Sequence, residues 1–203
     1  RDALRSGGVL VVNSSVGALG EGAAALIGAT LLNLVGLLAE EQVAVPPNER
    51  CRLVVLVDES STLGAVDYGQ MLSELGKYGA SFVLVTQSLS KLDAIDRALR
   101  PTIFSNIDGL TVFQVSAEDA RYLVPELGGD LDISDVTDLS DFECYARWSS
   151  GGRHLPVCSL RVDPPPPVNQ EKVRALAQRS ADAERFAANI KNVVATDTFG
   201  DVQ

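Results

Sequence analysis

Two adjacent carboxylates, Asp58 and Glu59, follow directly on five apolar residues, Leu53 to Val57 (LVVLV). An uninterrupted apolar run of this length is expected for a parallel strand covered on both faces. Open α/β sheets gather their ligands at the C-terminal ends of such strands. An Asp-Glu pair placed there suits magnesium-assisted phosphate chemistry, in which the Asp holds the ion, usually through water, and the Glu polarises the attacking water. The next apolar run, Ser81 to Gln87 (SFVLVTQ), ends in Thr86 and Gln87 at the same edge. A neutral amide beside a terminal phosphate can sense it or orient water without altering the local charge. Each feature alone also fits a plainer reading: a strand running into a solvated turn for the acids, a polar strand cap for the amide.

Other chemistries find less support. A P-loop needs G-x-x-x-x-G-K-[ST], and the four lysines are Lys77, Lys91, Lys172 and Lys191. Lys77 follows Gly76, but Met71 stands where the first glycine belongs and Tyr78 where Ser or Thr belongs. The Gly17 to Gly22 stretch (GALGEG) lacks lysine and reads as a helix-start turn. Cys51, Cys144 and Cys158 form no CxxC pair, and His154 is the only histidine, which argues against a zinc cluster and a disulfide framework. His154 and Cys158 in a Gly-rich hairpin read as a turn histidine beside a buried strand cysteine rather than as a nucleophile pair. From Gln114 through Glu143 there are nine acids with Arg121 as the only base; without D-x-D-x-D-G spacing this is a solvated acidic helix and loop.

The elements that would position the acids alternate short β-rich runs with helical stretches, as in parallel α/β layering. Val9 to Asn13 is a strand expectation. Gly22 to Ala39 carries no charge over a bilayer-spanning length, but Asn33, Thr30, three glycines and the lack of a Lys or Arg flank favour a helix buried between sheet and neighbours. Helices are expected over Val66 to Tyr78, near Leu92 to Leu99, and from a capping-box-like Ser116/Asp119 start to about Leu127. Strands are expected at Ser81 to Thr86 and Gly109 to Val115, with an antiparallel hairpin from Phe142 to Trp148 and His154 to Val162. Pro164 to Pro167 stops regular structure, so the expected division is 1–162 as one body, 163–168 as a linker and 169–203 as a helical tail. That tail has a narrow seam (Val173, Leu176, Ser180, Ala183, Ala187, Ile190, Val194) suited to docking on a partner.

The 203 residues, 46% hydrophobic and 22% charged, suffice for a folded core. A net charge of −10 argues against gripping nucleic acid by spread-out phosphate contacts. The chain starts without Met and without a signal peptide, and reads as a fragment.

From about Gly8 to Val162 the sequence resembles the later half of a RecA-like motor ATPase of the type IV secretion coupling-protein and hexameric DNA-translocase group. The resemblance rests on the order of VLVVNSS, GALGEGAAALIGATLL, LVVLVDESSTLG, ELGKYGASFVLVTQSLSKLD and SNIDGLTVFQVSAEDARYLVPELG. It implies an α/β, mostly parallel RecA-like sheet flanked by helices, with an edge hairpin. It further implies that Asp58 assists Mg2+, Glu59 is the catalytic base and Gln87 the sensor, with Thr86 and Lys77 beside the ATP. An arginine often precedes the Lys-aromatic-Gly element as a finger reaching the neighbour's nucleotide. Gly76 stands there, leaving Lys77, a point charge without the planar fork, and Arg97, Arg100 and Arg121 as displaced candidates.

The implied partners are other copies in a ring, DNA through pore loops, and secretion-channel or relaxase-type proteins. The implied place is the cytoplasm, with an N-terminal anchor at the inner membrane face as an option, and a P-loop half upstream of Arg1. Two alternatives stay open: a DNA-repair translocase of the same superfamily, and a non-hydrolysing binding module with a degenerate ATPase fold.

Overall fold

The computed structural model describes residues 7–12, 20–60 and 66–179, in two compact units, 1–162 and 163–203. In the first unit a long helix, α1 (Glu21–Glu40), runs into a 3-10 turn (Glu41–Ala44). Next come β1 (Leu53–Val57), α2 (Tyr68–Glu74), a 3-10 turn (Leu75–Tyr78) and β2 (Ala80–Leu84). The chain continues through α3 (Leu89–Ile95), α4 (Leu99–Asn106), β3 (Gly109–Val112), α5 (Ala117–Leu127) and α6 (Ile133–Thr137). Strands β4 (Glu143–Ser150), β5 (Arg153–His154) and β6 (Cys158–Arg161) complete the unit. In the second unit the described helix, α7, spans 170–179, and Asn169 accepts the Lys172 N–H at its start.

Two sheets result. β1 and β2 pair in parallel, Leu53 opposite Ala80 through Val57 opposite Leu84. β3, β4, β5 and β6 form an antiparallel sheet in which β4 pairs with each of the other three. The fold is therefore mixed α/β, with an antiparallel sheet larger than the edge hairpin expected from sequence. The parallel part is limited, among the described residues, to β1 and β2. Each sheet has its own core. Leu32, Ala39, Leu53, Val57, Met71, Leu75 and Ala80 gather α1 and α2 onto the parallel pair, whereas Leu89, Leu99, Val112, Ala120, Leu127 and Val136 join α3 to α6 with β3. Burying a leucine as fully as Leu75, 2% exposed, contributes about 1.5–3 kcal/mol.

Local chemistry sets the element ends. Asp67 caps α2 by accepting the Gln70 N–H, and Ser116 caps α5 by accepting the Asp119 N–H. The Asp119 side chain does not complete a capping box. It is buried and accepts the Leu89 N–H at 3.3 Å, tying the start of α3 to α5. Gln42 ties the starts of both parallel strands together: its amide nitrogen donates to the Cys51 and Tyr78 carbonyls, and its oxygen accepts the Cys51 N–H.

Four expectations change. Val9 to Val12 are exposed and form no strand, and Asn13 lies outside the described residues; an apolar run becomes a strand only when a neighbour supplies the ladder. The uncharged helix forms, and Glu21–Ala44 is apolar and long enough to cross a bilayer by length and composition. It is buried along one face only (Ala24, Ala29, Leu32, Gly36, Ala39), with Leu26, Leu34 and Leu37 exposed. β1 is likewise covered on one face: Leu53 and Val57 are buried, while Val54 and Leu56 are 75% and 67% exposed. Val83 and Val85 extend that apolar face on the β2 side. The segment near Leu92 to Leu99 divides into α3 and α4 because Asp96, in extended conformation, ends the first helix.

Candidate nucleotide-hydrolysis site

Parallel pairing brings the C-terminal ends of β1 and β2 together. The ladder continues past both strands, with Val85 N–H donating to the Val57 carbonyl and Ser60 N–H donating to the Val85 carbonyl, each at 2.9 Å. Asp58 therefore follows the last residue of β1, and Thr86 and Gln87 follow β2 at the same edge. Alternate residues are exposed along both apolar runs (Val54 and Leu56; Val83 and Val85), and Asp58 and Gln87, which follow them, are exposed as well. The Thr86 hydroxyl donates to the Ser88 carbonyl at 3.1 Å, turning the chain into α3.

Glu59 sits at φ 52°, in the left-handed region. For a residue with a Cβ this costs about 1–2 kcal/mol, and it persists where neighbours over-determine the backbone. Those neighbours are visible. Ser60 is buried, its hydroxyl donates to the Val85 carbonyl at 3.1 Å, and the Tyr68 hydroxyl donates to the Ser60 carbonyl at 2.8 Å. The turn that carries Glu59 is thus pinned to β2 and to α2.

Burial pushes the Tyr68 hydroxyl up to about 12 from an ordinary value of 10. The folded value lies above the unfolded one, so the stability linked to neutral Tyr68 is fully present below pH 10 and is lost as pH rises towards 12. Tyr68→Phe is expected to cost about 1 kcal/mol at neutral pH through the lost hydrogen bond. The gap to wild type should then close between pH 10 and 12 in urea titrations; a gap constant with pH would contradict this account.

A residue that the sequence reading passed over lies at the centre of the site. Lys91, on the first turn of α3, places its Nζ 3.0 Å from Glu59 Oε1 and 3.5 Å from Gln87 Oε1. Glu59 and Lys91 side chains are 26% and 48% exposed, so the ion pair is worth only about 0.2–1 kcal/mol. Its consequence is geometric, because it gathers the acid and the amide around one cation. The sequence signal was the four-residue spacing of Gln87 and Lys91 across a helix start.

Lys77 does not join this cluster. It precedes β2, whose five residues span about 17 Å, and Thr86 and Gln87 follow that strand. Its ammonium pairs with Glu74, whose hydrogen bond raises the Lys77 pKa, and lies 5.4 Å over the Tyr78 ring. Of the displaced-finger candidates, Arg100 is engaged inside the unit: its Nε is 3.1 Å from Asp93 Oδ1 and its guanidinium stacks 3.7 Å over Tyr122. Arg97 and Arg121 are exposed. His154 Nδ1 lies 2.9 Å from Ser149 Oγ, whereas the Cys158 thiol donates to the Ala146 carbonyl. Burial pushes the Cys144 thiol up, which suppresses its nucleophilic form. Among the described residues no cluster of three or more His, Cys, Asp or Glu could hold a metal. Two neighbouring carboxylates do fit magnesium delivered with phosphates, since that ion is commonly held by one or two carboxylates with substrate oxygens completing its shell.

A cleft of about 1160 Å³ runs beside the site, lined by 80–89, by 106–115 and by Trp148. Among the described residues, β2 pairs only with β1 and β3 only with β4, so both strands present an open edge.

Helices packed on a parallel strand pair, with two acids and an amide following the strands at one edge, make this a mixed α/β protein with a candidate site at a strand edge. The chain belongs to the family of type IV secretion-system coupling protein DNA-binding domains, whose model matches residues 21–161. Solved structures share the fold. The plasmid coupling protein TrwB in complex with the non-hydrolysable GTP analogue GDPNP is 18% identical, with a TM-score of 0.56 over 68% of this chain and 37% of that one. TrwB with the non-hydrolysable ATP analogue ADPNP is also 18% identical, with a TM-score of 0.57 over 68% and 36%. An unbound bacterial conjugative coupling protein, TrwBdeltaN70, is 16% identical, with a TM-score of 0.52 over 62% and 34%. The chain thus spans about a third of the length of these proteins. No curated protein sequence matches it.

Proposed function

We propose that this chain forms the hydrolytic edge of an ATP-driven DNA-translocating motor, a coupling protein that delivers DNA or nucleoprotein to a type IV secretion or conjugation channel. The observation that carries the reading is the convergence of Glu59 and Gln87 beside Asp58 at one strand edge, in a member of the coupling-protein family. Asp58 would hold magnesium together with nucleotide phosphates, Glu59 would polarise the attacking water, and Gln87 would sense the terminal phosphate from the next strand. Magnesium, when bound, supplies charge neutralisation at the phosphates.

The phosphate cradle comes from a P-loop half outside these residues. Its packing against the chain would cover the apolar face of Val54, Leu56, Val83 and Val85 and extend the open edges along the cleft. Nucleotide binding in the two TrwB complexes supports this reading. In this scheme 1–162 is the later part of the ATPase core, 163–168 a linker and 169–203 a partner-docking tail. Copies assemble in a ring around DNA, Lys77 meets nucleotide across a subunit boundary, and the motor works at the cytoplasmic face of the membrane. With a net charge of −10, DNA contact is confined to pore loops.

A second reading, a ring-forming module that binds but never hydrolyses, draws on Gly76 at the finger position and on the missing Gly-Lys-Ser/Thr motif. The full-length protein decides between them. DNA-stimulated ATP hydrolysis that requires magnesium is the expected result, and nucleotide binding with no turnover in the presence of DNA would establish the binding module instead.

A further inference from the structure

The hydrolysis reading gives Glu59 and Gln87 their roles but does not say what holds two side chains from different strands in one arrangement. Glu59 lies in a left-handed turn after β1 and Gln87 in the exposed segment after β2. Long side chains at such positions sample several rotamers, and a small displacement of a reacting group can cost about a hundredfold in rate. Both converge on the ammonium of Lys91, Glu59 through Oε1 at 3.0 Å and Gln87 through Oε1 at 3.5 Å.

The chemistry of an ammonium makes this contact directional. Lysine has three donors and no acceptor, so the Gln87 amide must turn its oxygen to Lys91, which leaves its NH2 group as the donor available to an anion. The Glu59 carboxylate is oriented by the same cation. Lys91 is itself held, because α3 starts at a fixed point: Ser88 accepts the Ser90 N–H, and buried Asp119 accepts the Leu89 N–H two residues before Lys91. A half-exposed ion pair contributes little to stability, so the arrangement is better explained by geometry than by fold maintenance.

We propose that Lys91 is the positioning residue of this site, holding the Glu59 carboxylate and the Gln87 amide in their working orientations from an anchored helix. The inference rests on the reading of Glu59 as the base. Its test is ATP turnover by the full-length protein, with variants at Lys91 and Glu59 measured side by side. In K91M, kcat is expected to fall about tenfold with KM within about twofold, the pattern of a group that acts on the chemical step rather than on uniform binding. K91R, which restores a cation, should return to within about threefold of wild type. On an E59Q background K91M should cost clearly less than tenfold, because only Gln87 is left to position. Thermal midpoints of K91M and wild type should agree; if K91M does not fold, K91Q is held to the same outcomes.

The proposal is overturned by K91M turning over at or above the wild-type rate, by K91R losing as much as K91M, or by a further tenfold loss on the E59Q background. An inactive E59Q with a fully active K91M removes the role of Lys91 alone. An E59Q that hydrolyses ATP normally removes the hydrolysis reading and, with it, this one.

Discussion

Glu59→Gln in the full-length protein is expected to lower ATP turnover by about 10²–10⁴-fold, the usual contribution of a positioned general base, or about 2.7–5.4 kcal/mol of barrier. The substitution keeps the size and shape of the side chain and removes only its basicity and charge, so the turn at φ 52° and its ties through Ser60 and Tyr68 should survive. Nucleotide affinity should be retained, because in the proposed scheme phosphate binding depends on the P-loop half. The expected signature is a collapse of kcat with little change in KM and an unchanged melting temperature. A variant that still turns over at wild-type rate would mean that Glu59 is an ordinary surface partner of Lys91.

The second large effect is on stability. Gly79 precedes β2 at φ 88°, and a Cβ built there would lie 2.9 Å from the Cys51 carbonyl oxygen. Gly79→Ala meets two penalties at once. The left-handed backbone costs an L-residue about 1–2 kcal/mol, and the clash is with backbone that is itself fixed, since the Cys51 carbonyl accepts from Gln42. Relief would pull Gly79 away from Leu53, whose N–H it accepts at 2.9 Å where the parallel ladder starts. A loss of about 2–4 kcal/mol follows from these terms together, or roughly 5–12 °C in melting temperature for a domain of this size. A Gly79→Ala protein that melts with wild type would show that the chain can move here without cost. Gly151, also at positive φ but with nothing within 4 Å of its Cβ position, is the control: it carries the backbone penalty alone.

Much of the fold was legible because its signals are local. LVVLV and SFVLV announced β1 and β2, Ser116 announced the start of α5, and the Ser-Ser-Gly-Gly turn announced the return of β4. Asp58, Glu59 and Gln87 could be picked out because side chains after a parallel strand must emerge at its C-terminal edge, whichever helix makes the crossover. Pairing was less legible than the elements themselves. Val9 to Val12 has the composition of a strand, yet ladder formation depends on a neighbour's open edge. The full apolar run of β1 suggested cover on both faces, whereas cover depends on what packs there.

The sequence alone determined the type and order of most elements and the placing of two acids and an amide at strand ends, because periodicity, caps and turn residues act over a few positions. Only the tertiary structure decided that Lys91, 32 residues from Glu59, belongs with them, that Asp119 secures the helix carrying it, and that Lys77 stands apart. The physical reason is that a parallel crossover returns distant residues to one edge, and no local pattern records which side chains then meet.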